Sequence, residues 1–262
     1  MPIHIAIHGA AGRMGQRLVA LTAADPELEL VAAIDAAGHP RLGEDAGVVA
    51  GVKAIGIPLG ASLAEGVDVL IDFSQPAAAE KIVDICRQRR VPIVEATTGL
   101  SDAQMAKLRA AAKEIPIVWS PNMSLAVNLT MKLAEVAARA LKDRDADVEI
   151  LERHHRFKAD SPSGTALKFG QTIAAVMGQT GHRHGREGVI GKRPHDEIGY
   201  HAIRVGDNPG EHTIVFGMLG EMIELTVRAT NRDCYAAGAL AAAKFLVGRQ
   251  PGLYGMNDVL GL

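Results

Sequence analysis

Residues 3–15 read I-H-I-A-I-H-G-A-A-G-R-M-G, and the fold turns on how this stretch is taken. Ile3 to His8 is a compact apolar run that suits a buried strand, and Gly9, Gly12 and Gly15 break it into a glycine turn. Gln16 to Ala24 has helical character, Leu28 to Ile34 reads as a second strand, and Asp35 closes it. Strand, glycine turn, helix, strand and acid, with the acid roughly twenty residues past the turn, is the order of a dinucleotide-binding βαβ unit. Each residue type has a task there. Glycines let the backbone approach a pyrophosphate, the helix start offers N–H groups to its charge, and the acid takes ribose hydroxyls. The spacing is G-x-x-G-x-x-G rather than the commoner G-x-G-x-x-G, so the flanking elements carry the assignment.

Downstream the alternation continues. Ala36 to Gly51 is a polar loop, and Val67 to Phe73 is a strand buried on both faces by its composition. Ser74-Gln75-Pro76 opens a helix through Arg89, and Val91 to Glu95 is a strand leading into Ala96-Thr97-Thr98-Gly99. A helix capped by Ser101 or Asp102 runs to Lys113, then the strand Ile115 to Trp119 ends at Ser120-Pro121-Asn122-Met123. Strands alternating with helices predict a right-handed parallel sheet covered on both faces, with ligands beyond the C-terminal strand ends. Gly9 to Gly15, Asp35, Thr97-Thr98 and Pro121-Asn122 all fall there. After a long helix from Ser124 to Leu141 the pattern changes. Gly178 to Glu197 is polar and reads as a mobile loop, followed by strand-like runs at Ile198 to Val205, Thr213 to Phe216 and Glu221 to Ala229. Consecutive strands without intervening helices predict an antiparallel or mixed sheet in a second, α+β domain. Asp233 to Val247 is a last Ala-rich helix, and the apolar tail Pro251 to Leu262 is expected to dock.

The chemistry concentrates in residues 149–167, E-I-L-E-R-H-H-R-F-K-A-D-S-P-S-G-T-A-L. Side chains alternate along a strand, so a strand reaching the two histidines points His154 and His155 to opposite faces. Lys158 and Arg156 make the following loop cationic. Ser161 reads as a helix cap with Pro162 at the first helical position, opening a helix to about Val176. Such a start holds a carboxylate or phosphate, Gly164 lets it come close, and Thr165 adds a hydroxyl. Either feature alone is an ordinary strand end or capped helix. Together they describe proton transfer to an anionic substrate.

The composition narrows the classes. At 262 residues, 48% apolar and 22% charged, the chain has material for one large or two modest cores. Aromatics at 3% and a formal net charge of −2 argue against a nucleic-acid partner or an anionic membrane surface. No long apolar run suggests a membrane span, and the start M-P-I-H-I-A-I-H has no leader-like pattern, so the expectation is cytoplasmic. Cys86 and Cys234 suggest no disulfide framework. His182, His184 and His195 lack cysteine or carboxylate at ligand spacing, so no metal is expected. Gly210-Glu211-His212-Thr213 fits a turn into a strand as well as a functional role. Arg232 is either a surface cap residue of the last helix or an arginine fork for a dicarboxylate.

On Gly9 to Gly15 with its G-R-M-G end, Ala96-Thr97-Thr98-Gly99, Pro121-Asn122-Met123-Ser124, E-R-H-H-R-F-K-A-D-S-P-S-G-T-A, Arg186-Glu187-Gly188, G-D-N-P-G-E-H-T from Gly206 and Arg232, the chain resembles the dihydrodipicolinate reductase family. These are the 4-hydroxy-tetrahydrodipicolinate reductases of lysine and diaminopimelate biosynthesis. The resemblance spans nearly the whole length. It implies an α/β protein with an N-terminal Rossmann-type dinucleotide-binding domain, residues 1–123 and 233–262. A C-terminal α+β mixed-sheet domain, residues 124–232, would bind substrate and assemble a homotetramer. It implies reduction of a small dicarboxylate by NADH or NADPH with loss of water, without a metal. His154 would be the proton donor or acceptor and Lys158 the second proton donor, and His155, Ser163, Gly164, Thr165 and Arg232 would bind substrate. Gly9, Ala10, Ala11, Gly12, Arg13, Met14, Asp35, Ala96, Thr97, Thr98, Ser120, Pro121, Asn122 and Met123 would bind cofactor. Three positions depart from the family pattern: Ala96 stands where glycine is frequent, Gln75 where arginine is, and Ala36-Ala37 where an arginine often follows the acid. The last leaves Arg13, His39 or Arg41 as partners for a 2′-phosphate and favours NADH. Other readings are a different Rossmann oxidoreductase, such as an amino-acid dehydrogenase, or a nucleotide sensor without turnover.

Overall fold

A computed structural model describes residues 1–262. The chain divides into two compact units, Met1–Leu125 with Arg232–Leu262, and Ala126–Asn231. In the first unit β1 (Ile3–His8), α1 (Arg13–Ala24) and β2 (Leu28–Ile34) are followed by α2 (Ala46–Val49) and β3 (Leu59–Gly60). Then come β4 (Val69–Asp72), α3 (Pro76–Arg89), β5 (Ile93–Glu95), α4 (Asp102–Ala111) and β6 (Pro116–Trp119). The second unit holds α5 (Leu125–Leu141), β7 (Asp147–His154), α6 (Gly164–Met177), β8 (Gly181–His184), β9 (Glu197–Arg204), β10 (Gly210–Met218) and β11 (Glu221–Ala229). The chain then returns to the first unit with α7 (Asp233–Leu246), β12 (Gly252–Tyr254) and α8 (Met256–Leu260).

The first sheet is parallel throughout, in the order β12-β6-β5-β4-β1-β2-β3. From β1 the chain winds outward through β2 and β3 and then restarts on the other side at β4. The crevice beyond the ends of β1 and β4 is therefore the topological switch point, where open α/β sheets bind ligands. Period-2 alternation sorts the strands between two apolar layers. Ile5, Ile7, Val69 and Ile71 pack with Leu18, Val19 and the alanines of α7, while Ala6, Leu70 and Ile93 pack with Ile82, Val83, Met105 and Leu108. Arg17 donates to both oxygens of Asp233, at 2.6 and 2.9 Å, and fastens α1 to the start of α7. The C-terminal tail docks as expected, with β12 extending the sheet beside β6.

The second sheet is mixed, in the order β11-β10-β7-β9-β8. β7 lies antiparallel to β10 and parallel to β9. Val148 and Ile150 from β7 meet Phe169 and Ile173 from α6 and Ala134 and Ala138 from α5 in one core. Two sequence expectations are corrected in this unit. The polar segment after α6 is not a mobile loop throughout, because Gly181–His184 forms the edge strand β8. Its histidines serve local packing: His182 lies 2.9 Å from the Tyr200 hydroxyl, and His184 stacks on the Tyr200 ring. The helix after the histidine loop also starts later than its Ser-Pro pair suggests. Ser163, not Ser161, is the cap, and Pro162 follows a cis peptide outside the helix. The Ser163 hydroxyl accepts from the Ala166 amide at 3.2 Å, the bond that a Ser N-cap makes. No helix is long and apolar enough to cross a membrane.

Candidate active site

In the first unit the glycine turn is held by the strand it leaves. The Gly9 and Ala10 amides both donate to the Ile34 carbonyl, at 2.9 and 3.0 Å. Gly9 has φ +78°, and a Cβ there would stand 2.6 Å from the Phe73 carbonyl. A Cβ on Gly15 would stand 2.0 Å from the Gly9 carbonyl, so α1 packs on the turn at glycine distance. Gly12 is the N-cap of α1 and brings no side chain, which leaves first-turn amides at Arg13 and Met14 for an anion. Asp35 accepts from the Ala11 amide at 2.9 Å and the Ala36 amide at 2.8 Å. Ala96 and Thr97 are buried after β5, and Thr98 is exposed. Ser120 is buried and donates to the Asn122 carbonyl at 2.7 Å; Pro121 is exposed, and the Met123 side chain is buried in the core. Glycine cradle, open helix start and acid thus suit a dinucleotide.

In the second unit β7 does extend to His154, and His155 is the first residue past it. The burial alternation puts Val148, Ile150, Glu152 and His154 on the inner face. His154 Nδ1 donates to Glu152 Oε2 at 2.5 Å. Arg204, opposite His154 on β9, clamps the same carboxylate through two nitrogens at 2.8 Å each. The Ser163 amide adds a third bond, to Glu152 Oε1 at 3.0 Å. Burial works to raise the Glu152 carboxyl, but the bonds from His154, Arg204 and Ser163 outweigh it and hold the group at about 2. Ionised Glu152 therefore accepts the hydrogen bond from Nδ1–H, which leaves Nε2 as the ring nitrogen outside this pair. His212, opposite Glu152 on β10, stands edge-on to the His154 ring and 3.1 Å from the Ser163 hydroxyl. Burial, then the neighbouring His154, pushes His212 down to about 4, so it is neutral near pH 7. Lys158 pairs with Asp160 at 2.7 Å, and Gly164 and Thr165 form the first turn of α6. The structure thus gathers His154, Lys158, Ser163, Gly164 and Thr165 around one strand end.

Two family descriptions match the chain, "Dihydrodipicolinate reductase, N-terminus" over residues 3–123 and "Dihydrodipicolinate reductase, C-terminus" over residues 126–260. The chain belongs to the dihydrodipicolinate reductase family. It is 60% identical to a 4-hydroxy-tetrahydrodipicolinate reductase of Rhodopirellula baltica, covering 100% of this chain and 97% of that protein. A second, from Alkalilimnicola ehrlichii, is 49% identical with both chains covered completely. A dipicolinate-bound dihydrodipicolinate reductase from a Paenisporosarcina species superposes with TM-score 0.79 at 27% identity, covering 98% of this chain and 99% of that one. Membership of the dihydrodipicolinate reductase family makes the chain an oxidoreductase with a nicotinamide-binding Rossmann domain.

For a dihydrodipicolinate reductase-family site, sequence reading overlooks Glu152 and Arg204 and leaves His212 open between a turn into a strand and a functional role. A signal for the first is present. Val148, Ile150, Glu152 and His154 keep strand period, so two polar residues occupy core-facing positions at the strand end. Nothing local points to Arg204, and both Arg204 and His212 reach the group through strand pairing. Arg232 stands apart from the other expected substrate residues by unit: it lies on the first, exposed at the N-cap of α7.

Proposed function

We propose that this chain reduces 4-hydroxy-tetrahydrodipicolinate to tetrahydrodipicolinate with loss of water, and that His154 moves the proton that accompanies hydride transfer. The nicotinamide supplies the hydride. The observation carrying the reading is the Glu152–His154 pair at 2.5 Å beside the Ser163-capped start of α6. Glu152 fixes the ring through Nδ1, so Nε2 is aimed for general acid–base work. Lys158 exchanges Asp160 for a substrate carboxylate and serves as second proton donor. The α6 start, with Gly164 and Thr165, holds that carboxylate. His155 Nδ1 is buried without a partner and keeps capacity for the substrate. Arg232 is assigned to the second carboxylate. Gly9 to Met14, Asp35, Ala96 to Thr98 and Ser120 to Met123 are assigned to the cofactor.

The residues near Asp35 support a preference for NADH. Ala36 and Ala37 offer no cation, and Arg41 is committed to Glu44 through two nitrogens at 3.0 and 2.8 Å. In an assay with the freshly generated substrate, kcat/KM is expected to be about tenfold higher with NADH than with NADPH, the value of one lost phosphate contact. Higher efficiency with NADPH would overturn the preference, and NADH binding without turnover would favour the sensor reading.

A homotetramer is supported by the outer surface of the second unit. Along α5, Leu129, Leu133 and Val136 are 41%, 47% and 54% exposed, and the edge strand β11 shows Met222 at 66% and Ile223 at 40%. A long edge strand with exposed apolar residues calls for a partner. Light scattering on the purified protein is expected to give the mass of four chains, and Ile223→Lys a smaller species. A single-chain mass for the unmodified protein would reject the assembly.

A further inference from the structure

Strands β1, β4 and β5 end on one transverse row, with His8 opposite Asp72 and Asp72 opposite Glu95. Residues in register on neighbouring parallel strands share a face. Two positions earlier the same face presents Ala6, Leu70 and Ile93, all in the apolar layer under α3 and α4. Three titratable side chains thus occupy the last rung of a buried face. Asp72 and Glu95 are fully buried and His8 is 9% exposed. His8 Nδ1 lies 2.7 Å from Asp72 Oδ1, and the Thr97 hydroxyl donates to Asp72 Oδ2 at 2.8 Å. The Thr97 amide donates to Glu95 Oε1 at 2.8 Å, and the Ser74 amide donates to the Thr97 hydroxyl at 3.2 Å. Glu95 Oε2 is buried without a partner.

Charges are expensive at such a place, and apolar residues would close the layer more cheaply. The row lies at the switch point and feeds the three loops that leave β1, β4 and β5. Thr97 is gripped at two atoms, its hydroxyl by Asp72 and its amide by Glu95. We propose that His8, Asp72 and Glu95 are positioning residues for the cofactor, acting through Thr97 to set the Ala96–Thr98 loop against the glycine turn. The proposal rests on the reading of these loops as the nicotinamide site. Burial and the Asp72 charge beside it hold the Glu95 carboxyl up at about 9, well above the ordinary carboxylate range. The other polar groups around it do not supply a compensating cation. Glu80 of α3 and Lys107 of α4 line the space at Glu95 but pair with each other, with Gln104 beside them. The Cys86 thiol of α3 is pushed up by burial and stays neutral, while Arg89 of α3 donates to the Leu63 carbonyl.

Alkaline pH should therefore place a second carboxylate in the row and loosen Thr97. Between the ordinary carboxylate pKa and the raised one, the native state holds a proton that the unfolded chain releases. Stability then falls as pH rises across that window, and glutamine at position 95 removes the loss. The test is NADH titration by fluorescence and thermal melting, from neutral to alkaline pH, on wild type, Glu95→Gln and Thr97→Val. Wild-type NADH affinity is expected to weaken roughly fivefold or more towards alkaline pH while Glu95→Gln stays flat and melts higher there. Thr97→Val is expected to bind NADH about tenfold more weakly at every pH, with the KM for the dicarboxylate unchanged. An alkaline loss shared equally by Glu95→Gln, or a Thr97→Val that binds NADH like wild type, would overturn the positioning role while leaving the cofactor site standing. Wild type that binds no NADH at any pH would overturn the cofactor reading and this proposal with it.

Discussion

His154→Gln is expected to lower kcat by roughly 10²–10⁴-fold while leaving the Kd for NADH within about threefold. Glutamine fills similar space and can still meet Glu152, but it has no titratable nitrogen with which to move a proton. Nδ1 of the native ring is committed to Glu152 at 2.5 Å, so Nε2 is the one exchangeable position lost. The residues assigned to NADH belong to the first unit, which is why binding and turnover should separate. Steady-state rates with both substrates saturating, beside an NADH fluorescence titration, measure the two quantities. A kcat within tenfold of wild type would remove His154 from the proton-transfer role and return the histidine pair to a structural one.

Glu152→Ala is expected to cost about 3–5 kcal/mol of stability, because removing one member of a buried charged group leaves the others uncompensated. Arg204 would keep only the carbonyls of Ile203 and Asp160, and the Ser163 amide and His154 would lose their shared acceptor. A loss of this size lowers the melting temperature by roughly 10 °C in a protein of this length. The pH dependence has a definite sign. The carboxyl is ordinarily near 4.5 and is held at about 2 in the folded protein. Its stabilisation is therefore complete above the ordinary value and is lost as pH falls from about 4.5 towards 2. Melting curves from neutral to acid pH should show the gap between wild type and Glu152→Ala narrowing across that window. Equal melting temperatures at neutral pH would show that the group is not held as a network.

Much of this protein is legible without coordinates. Alternation and glycine spacing in Ile3 to Asp35 announce the βαβ unit, because a period of two and a glycine turn are local properties of the chain. The same holds for β2 and β11, whose limits match the sequence reading residue for residue. Where local signals compete the reading slips. Ser161-Pro162 imitates a capped helix start, yet the cap is Ser163. The glycines, histidines and arginines after α6 resemble a loop, yet β8 finds its pairing partner in β9, beginning at Glu197.

What the sequence by itself determines is which residues face inward and where the chain turns. It places His8 and Glu95 at strand ends and Asp72 one residue short of one, and strand period puts Glu152 and His154 on one face once β7 is known to reach the histidines. Only the tertiary structure decides which charge answers which: Arg204 for Glu152, 52 residues away, and Asp72 for His8, 64 residues away. The reason is energetic. A buried charge must find a partner, strand pairing supplies that partner from any distance along the chain, and no local pattern encodes which strands become neighbours.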